Sequence, residues 1–142
     1  MEFVNVNYNI LVIFWRVEYM VRIKNNIKLE LEGKVMHLEF IKPGTNLEFT
    51  YVPDTGLSIS RLIEAHLPKY LIFNMGNIAF LDSAAIGMFI AIINKLGVNN
   101  VFFYDISERC QRILGMVKMD NFIYPHKDLE TVIAIISDRE GL

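Results

Sequence analysis

The chain has 142 residues, 53% of them hydrophobic and 21% charged, with a mean hydropathy of +0.32. That length suits one domain with a full core of its own, and the single cysteine, Cys110, excludes a disulfide framework and a multi-thiolate zinc site. Fourteen Lys and Arg against sixteen Asp and Glu leave a formal charge of −2 with no long block of either sign, which speaks against direct nucleic-acid binding.

The first apolar run, Ile10-Leu11-Val12-Ile13-Phe14-Trp15, is closed by Arg16 and Glu18. A membrane span needs ~20 mostly apolar residues, so this run is too short. Glu2, Asn5, Asn7 and Asn9 precede it and Arg16-Val17-Glu18-Tyr19 follows, the wrong flanks for a secretory signal. The cytoplasm is therefore the expected location. Val4, Val6, Tyr8, Ile10, Val12 and Phe14 share one parity, and the parity flips at Val17, Tyr19, Val21 and Ile23. A flip of this kind predicts two short strands or one strand broken by a bulge. Residues 1–24 thus read as a strand-like extension preceding a domain over 25–142, with Met20 an alternative start of the protein.

Ile27, Leu29 and Leu31 alternate with charged residues, Gly33-Lys34 turns the chain, and Met36, Leu38 and Phe40 complete a predicted hairpin. Lys42-Pro43-Gly44-Thr45-Asn46 reads as a loop, Leu47–Tyr51 as a short strand and Pro53-Asp54-Thr55-Gly56 as a turn. Ile59, Leu62, Ile63 and Leu67 fall at helical spacing, and Pro68 stops that helix. Beyond it the rhythm changes. Tyr70–Phe73 and Val101–Tyr104 are continuous apolar runs, as expected of strands covered on both faces. Between them Ile78–Leu81 leads through Asp82-Ser83 into a helix reaching about Leu96, with Ile86, Phe89, Ile90 and Ile93 on one face. Ser107 should cap a further helix carrying Cys110, Ile113, Leu114 and Val117. Phe122-Ile123-Tyr124 reads as a short strand, and Leu129, Val132, Ile133 and Ile136 as the face of a last helix. The order predicts an α/β domain: a mixed sheet with an N-terminal hairpin and helices after the later strands.

Enzyme signatures are sparse. No Gly-x-x-x-x-Gly-Lys or Gly-x-Gly-x-x-Gly loop is present. His37, His66 and His126 are scattered without metal-ligand spacing, so surface or half-buried positions are expected, and neither a metal nor another cofactor is. Cys110 lies on an apolar stripe and reads as a buried, inert thiol. Lys69, Lys95 and Lys118 fall near helix ends, where a cation meets the negative dipole pole. Asp82 follows a strand, but no adjacent acid pair ends an early strand, so a magnesium-dependent phospho-acceptor aspartate is excluded. A hydrolase or transferase with Ser83 as nucleophile lacks a Gly-x-Ser-x-Gly elbow.

Phe80-Leu81-Asp82-Ser83-Ala84-Ala85-Ile86-Gly87 remains. Helix capping by itself explains Asp82 and Ser83. The small residues after them leave Ser83 poorly shielded, however. Ala84, Met88, Ala91 and Lys95 follow on a face offset from the core stripe, forming a candidate docking patch.

The stretch from Tyr70 through Asn74, Gly76, Phe80, Leu81, Asp82 and Ser83 to Gly87 and Met88 resembles the core of a STAS domain, the fold of bacterial anti-sigma-factor antagonists. The likeness in element order runs over roughly residues 27 to 137. It implies a non-enzymatic regulator that binds an anti-sigma factor which is also a serine kinase. Phosphorylation at Ser83 would break that complex and a phosphatase would restore it. The partner-binding residues implied are Asp82, Ser83, Ala84, Gly87, Met88 and Ala91. Ala84-Ala85 stand where the family commonly has Ser-Gly, Asn74 where it often has an aspartate, and no Gly-x-Leu-Asp ending is recognisable around Lys42-Pro43-Gly44. These departures and the apolar N-terminus motivate an alternative: a STAS scaffold that is never phosphorylated, or a subunit of a membrane transport or signalling complex. A partner, a second copy forming a homodimer or an added strand is expected at the extension and at the Met88 face.

Overall fold

The computed structural model describes residues 20–24 and 26–142, with side chains from residue 26 onward; the alternation predicted over 1–19 lies outside them. Strands β1 (Met20–Lys24), β2 (Ile27–Glu32) and β3 (Val35–Phe40) pair antiparallel in sequence. β1, the last part of the predicted extension, joins this same sheet and is its edge among the described residues. Gly33 supplies the left-handed conformation (φ 55°) that the β2–β3 turn requires.

The later strands, β5 (Tyr70–Asn74), β7 (Val101–Tyr104) and β8 (Pro125–His126), join in parallel, giving the order β1-β2-β3-β5-β7-β8. A separate parallel pair is formed by β4 (Thr45–Leu47) and β6 (Ile78–Leu81). Four helices complete the described fold: α1 (Val52–His66), α2 (Ser83–Leu96), α3 (Glu108–Met116) and α4 (Leu129–Arg139).

Alternation sorts the two faces of the sheet. Ile27, Leu29, Met36, Leu38, Phe40, Leu71, Phe73 and Phe103 share a core with α1, α2 and α3. Val35, Tyr70, Ile72, Phe102 and Tyr104 pack instead with Val132 and Ile136 of α4. The continuous apolar runs at 70–73 and 101–104 thus feed both cores. Phe73 lies at the centre, stacked on Phe103 at 5.2 Å, with Phe89 of α2 edge-on to both rings. Each of these aromatic side chains is fully buried, worth about 1.5–3 kcal/mol by area alone.

Four sequence expectations need correcting. Leu47–Tyr51 is not a strand: β4 comprises Thr45–Leu47, and residues 48–51 turn. Pro53-Asp54-Thr55-Gly56 is not a turn but the opening of α1, where proline's missing N–H has no intrahelical partner to lose. Phe122–Tyr124 is not a strand, because the Met119 carbonyl accepts from both Phe122 and Ile123 N–H and curls the chain; the strand is Pro125–His126. His37 is buried rather than superficial, its Nε2 lying 2.8 Å from the Tyr104 hydroxyl.

Smaller differences have equally local causes. Val117 lies beyond the last turn of α3 and is 49% exposed, so it does not extend the Cys110–Leu114 stripe. Lys69 and Lys95 meet carboxylates, with Nζ 2.9 Å from Glu140 Oε1 and 3.3 Å from Glu64 Oε1 respectively. The Glu140 hydrogen bond raises the Lys69 ammonium above its ordinary value. Ser107 caps α3 as its sequence predicts, its hydroxyl accepting from Cys110 N–H at 3.2 Å.

Candidate functional site

The β4–β6 ladder pairs Leu47 with Leu81 and so carries residue 82 to the mouth of α2. Asp82 is extended (φ −104°, ψ −174°) and caps the helix: its Oδ1 accepts from Ala85 N–H at 3.1 Å. The other oxygen, Oδ2, accepts from Phe49 N–H at 2.8 Å. Asp82 N–H in turn donates to the Leu47 carbonyl at 3.1 Å. One residue thereby fixes both the first turn of α2 and the turn that follows β4. Burial works to raise the Asp82 carboxyl, but the N–H donors of Ala85, Phe49 and Ala84 outweigh it and hold the group below its ordinary range.

Ser83 is the first helical residue and is exposed, as are Gly87 and Ala91, while Ala84 is half-buried. A Cβ at Gly87 would have nothing within 4 Å. Met88 departs from the expected patch. It is only 8% exposed and lies against Gly56 of α1, so it belongs to the core. Helical spacing explains this: Ala85, Ile86, Met88, Phe89, Ile92 and Ile93 make the buried stripe wide enough to include Met88. The open surface therefore contains Ser83, Gly87 and Ala91, with Phe49, 72% exposed, held to the same helix start through Asp82. The strand-like alternation of Leu47–Tyr51 conceals Phe49 in the sequence; the signal against a strand there is Pro53, which suits the first turn of a helix.

Asn74, at the end of β5, turns its Oδ1 onto Gly76 N–H at 2.9 Å. The amide thus serves the tight turn leading into β6. Among the described residues no group of three or more His, Cys, Asp or Glu could hold a metal ion. His37 bonds Tyr104 and His126 packs against Phe102 and Tyr124. Cys110 is buried, its Sγ 3.7 Å from the Ile78 carbonyl. No helix of the described residues is long and apolar enough to cross a membrane.

The family model of the STAS domain matches residues 21–132. No curated protein sequence matches the chain. Among solved structures, it is similar to the anti-sigma factor antagonist SpoIIAA in its unphosphorylated form, with a TM-score of 0.60 and 13% identity over 87% of this chain and 97% of that one. The phosphorylated form of SpoIIAA, the Bacillus cell fate determinant, gives a TM-score of 0.54 at 13% identity, over 82% of this chain and 98% of that one. An anti-sigma factor antagonist from Mycobacterium paratuberculosis gives 0.63 at 14% identity, over 86% and 95%. At such identities these likenesses concern the fold: a mixed sheet with its helices in the same arrangement.

Proposed function

This chain belongs to the STAS domain family, and we propose that it is an anti-sigma-factor antagonist switched by phosphorylation of Ser83. The observation that carries the reading is the exposed Ser83 on a first helical turn capped by Asp82. The SpoIIAA fold, known for that protein in unphosphorylated and phosphorylated forms, supports the same assignment. The partner is an anti-sigma factor that is also a serine kinase. It transfers the γ-phosphoryl group of ATP to Ser83 Oγ, with loss of the hydroxyl proton and release of ADP. A phosphatase returns the serine.

A phosphate adds a charge of about −1.5 to −2, which a helix N-terminus tolerates. The fold therefore survives modification, and the effect falls on docking. Bulk and the cost of stripping water from the phosphate separate the partner from Ser83, Ala84, Gly87 and Ala91. The phosphatase, the kinase and the sigma factor it holds all act in the cytoplasm under this reading. A second copy pairing through the N-terminal extension would meet the sheet at β1, its edge among the described residues. Light scattering on the full chain and on one starting at Met20 tests this. A dimer lost on truncation supports it, and monomers in both contradict it.

The decisive experiment incubates the chain with the kinase-type anti-sigma factors of its own cell and ATP, then maps phosphate by mass spectrometry. Phosphate on Ser83, absent from Ser83→Ala, is the expected result. Stable binding without modification would replace the switch with the scaffold reading, and the absence of both would overturn the assignment.

A further inference from the structure

We infer that Phe49 is the aromatic anchor of the partner interface and that Asp82 is the positioning residue that presents it beside Ser83. This inference rests on the reading of the α2 N-terminus as the docking site. Its starting point is an anomaly: a phenylalanine 72% exposed on a backbone that is tightly held. The Glu48 carbonyl accepts from Tyr51 N–H at 2.8 Å and from Val52 N–H at 2.9 Å, closing the turn. Asp82 then clamps it from the other side, taking Phe49 N–H on Oδ2 and giving its own N–H to Leu47. A ring displayed on a fixed backbone surrenders only side-chain freedom on docking, which is the economy that makes aromatic residues interface anchors.

The clamp also fixes where the ring sits. The carboxylate that holds Phe49 caps α2, and Ser83 is the next residue, so both are set by one side chain. A protein that reads Ser83 meets Phe49 in the same footprint, and the surface it must offer is an apolar pocket. Lys95 of α2 pairs with Glu64 and Arg109 of α3 lies over the Phe80 ring, while Phe49 and Ser83 each directly follow a carboxylate, Glu48 and Asp82. A phosphate on Ser83 joins these two carboxylates and stays hydrated, so closing an apolar pocket over it is costly. Phe49 thus supplies the physical reason that modification releases the partner.

The test measures affinity for the purified serine-kinase anti-sigma factors of the source organism, alongside hydrogen exchange at the Phe49 amide in the free chain. Phe49→Ala should weaken binding at least tenfold with little change in melting temperature, as expected for an interface anchor, and Phe49→Tyr should restore it. Met116→Ala, at a residue 82% exposed on α3, should leave binding unchanged. Asn is a good N-cap but offers one acceptor oxygen in place of two, so Asp82→Asn should keep the helix start and free the turn. Faster exchange at Phe49 with weakened binding is then expected, whereas Asp82→Ala should also melt earlier. Wild-type affinity in Phe49→Ala, with phosphorylated chain still excluded, would overturn the anchor and leave the switch standing. Wild-type affinity in Asp82→Asn despite faster exchange would overturn the positioning role. A wild-type chain that binds none of these proteins would overturn both the switch and the anchor.

Discussion

Gly56 of α1 faces Met88 of α2 so closely that a Cβ added at Gly56 would stand 3.4 Å from Met88 Cγ and 3.5 Å from its sulfur. That is ordinary van der Waals contact, and the Gly56 backbone is not in the left-handed region. Gly56→Ala should therefore gain about 0.4–1 kcal/mol by restricting the unfolded chain. Gly56→Val, with two more carbons directed at Met88, should lose about 1–3 kcal/mol by overpacking. Thermal melts of the two variants should move in opposite directions.

Leu67 ends α1 in the left-handed conformation (φ 47°), its N–H donating to the Ile63 carbonyl, while its side chain is 81% exposed. A left-handed non-glycine residue costs about 1–2 kcal/mol, and this side chain recovers little of it. Leu67→Gly should stabilise the chain by about 1 kcal/mol, read as a higher denaturant midpoint at unchanged slope. An unchanged or lower midpoint would refute this.

These two positions show what the sequence made legible. Periodicity identified the strands at 27–40, 70–73 and 101–104 and the apolar faces of the later helices, because burial imposes those periods directly. The same logic failed at Leu47–Tyr51 and Pro53–Gly56, where hydrogen bonds to Asp82 and Glu48 decide the conformation and apolar spacing does not. The exposure of Ser83 at the start of α2 was legible in the small residues that follow it. Met88 was misplaced because the buried stripe of α2 is wider than Ile86, Phe89, Ile90 and Ile93 suggest, with α1 covering it at Gly56, and the exposure of Phe49 was missed because the carboxylate that holds its turn lies 33 residues away.

His37 and Tyr104 join strands that are not neighbours, reaching across β5. Burial, with the charges of Glu39 and Glu30 adding to it, holds the Tyr104 phenol far above its ordinary value, so it stays protonated and can donate to an unprotonated Nε2. Tyr104→Phe removes that bond from a buried position and should cost about 1–3 kcal/mol. A loss within error of zero in chemical denaturation would show the bond to be dispensable.

Burial, and then the nearby Arg139, lower the His126 imidazole below its ordinary value of 6.5. The unfolded chain therefore binds this proton first as pH falls. The contribution is fully present above pH 6.5 and is lost as pH drops from there through the lower folded value. Asp82 and Asp128 are both held below 3.8, so their contributions persist above that pH and disappear only as it falls further. Melting temperature should thus decline in two stages on acidification, and His126→Gln should remove the upper one. An upper stage unchanged in that variant would assign it to another group.

Ser83 is the pivot of the proposed switch, and its direct test is calorimetric titration of one purified kinase-type anti-sigma factor with the chain in its unmodified and its Ser83-phosphorylated forms. The unmodified chain should bind, and the phosphorylated chain should bind at least a hundredfold more weakly, a difference of about 2.7 kcal/mol, while keeping the same circular dichroism spectrum. Equal affinity of the two forms would contradict the switch.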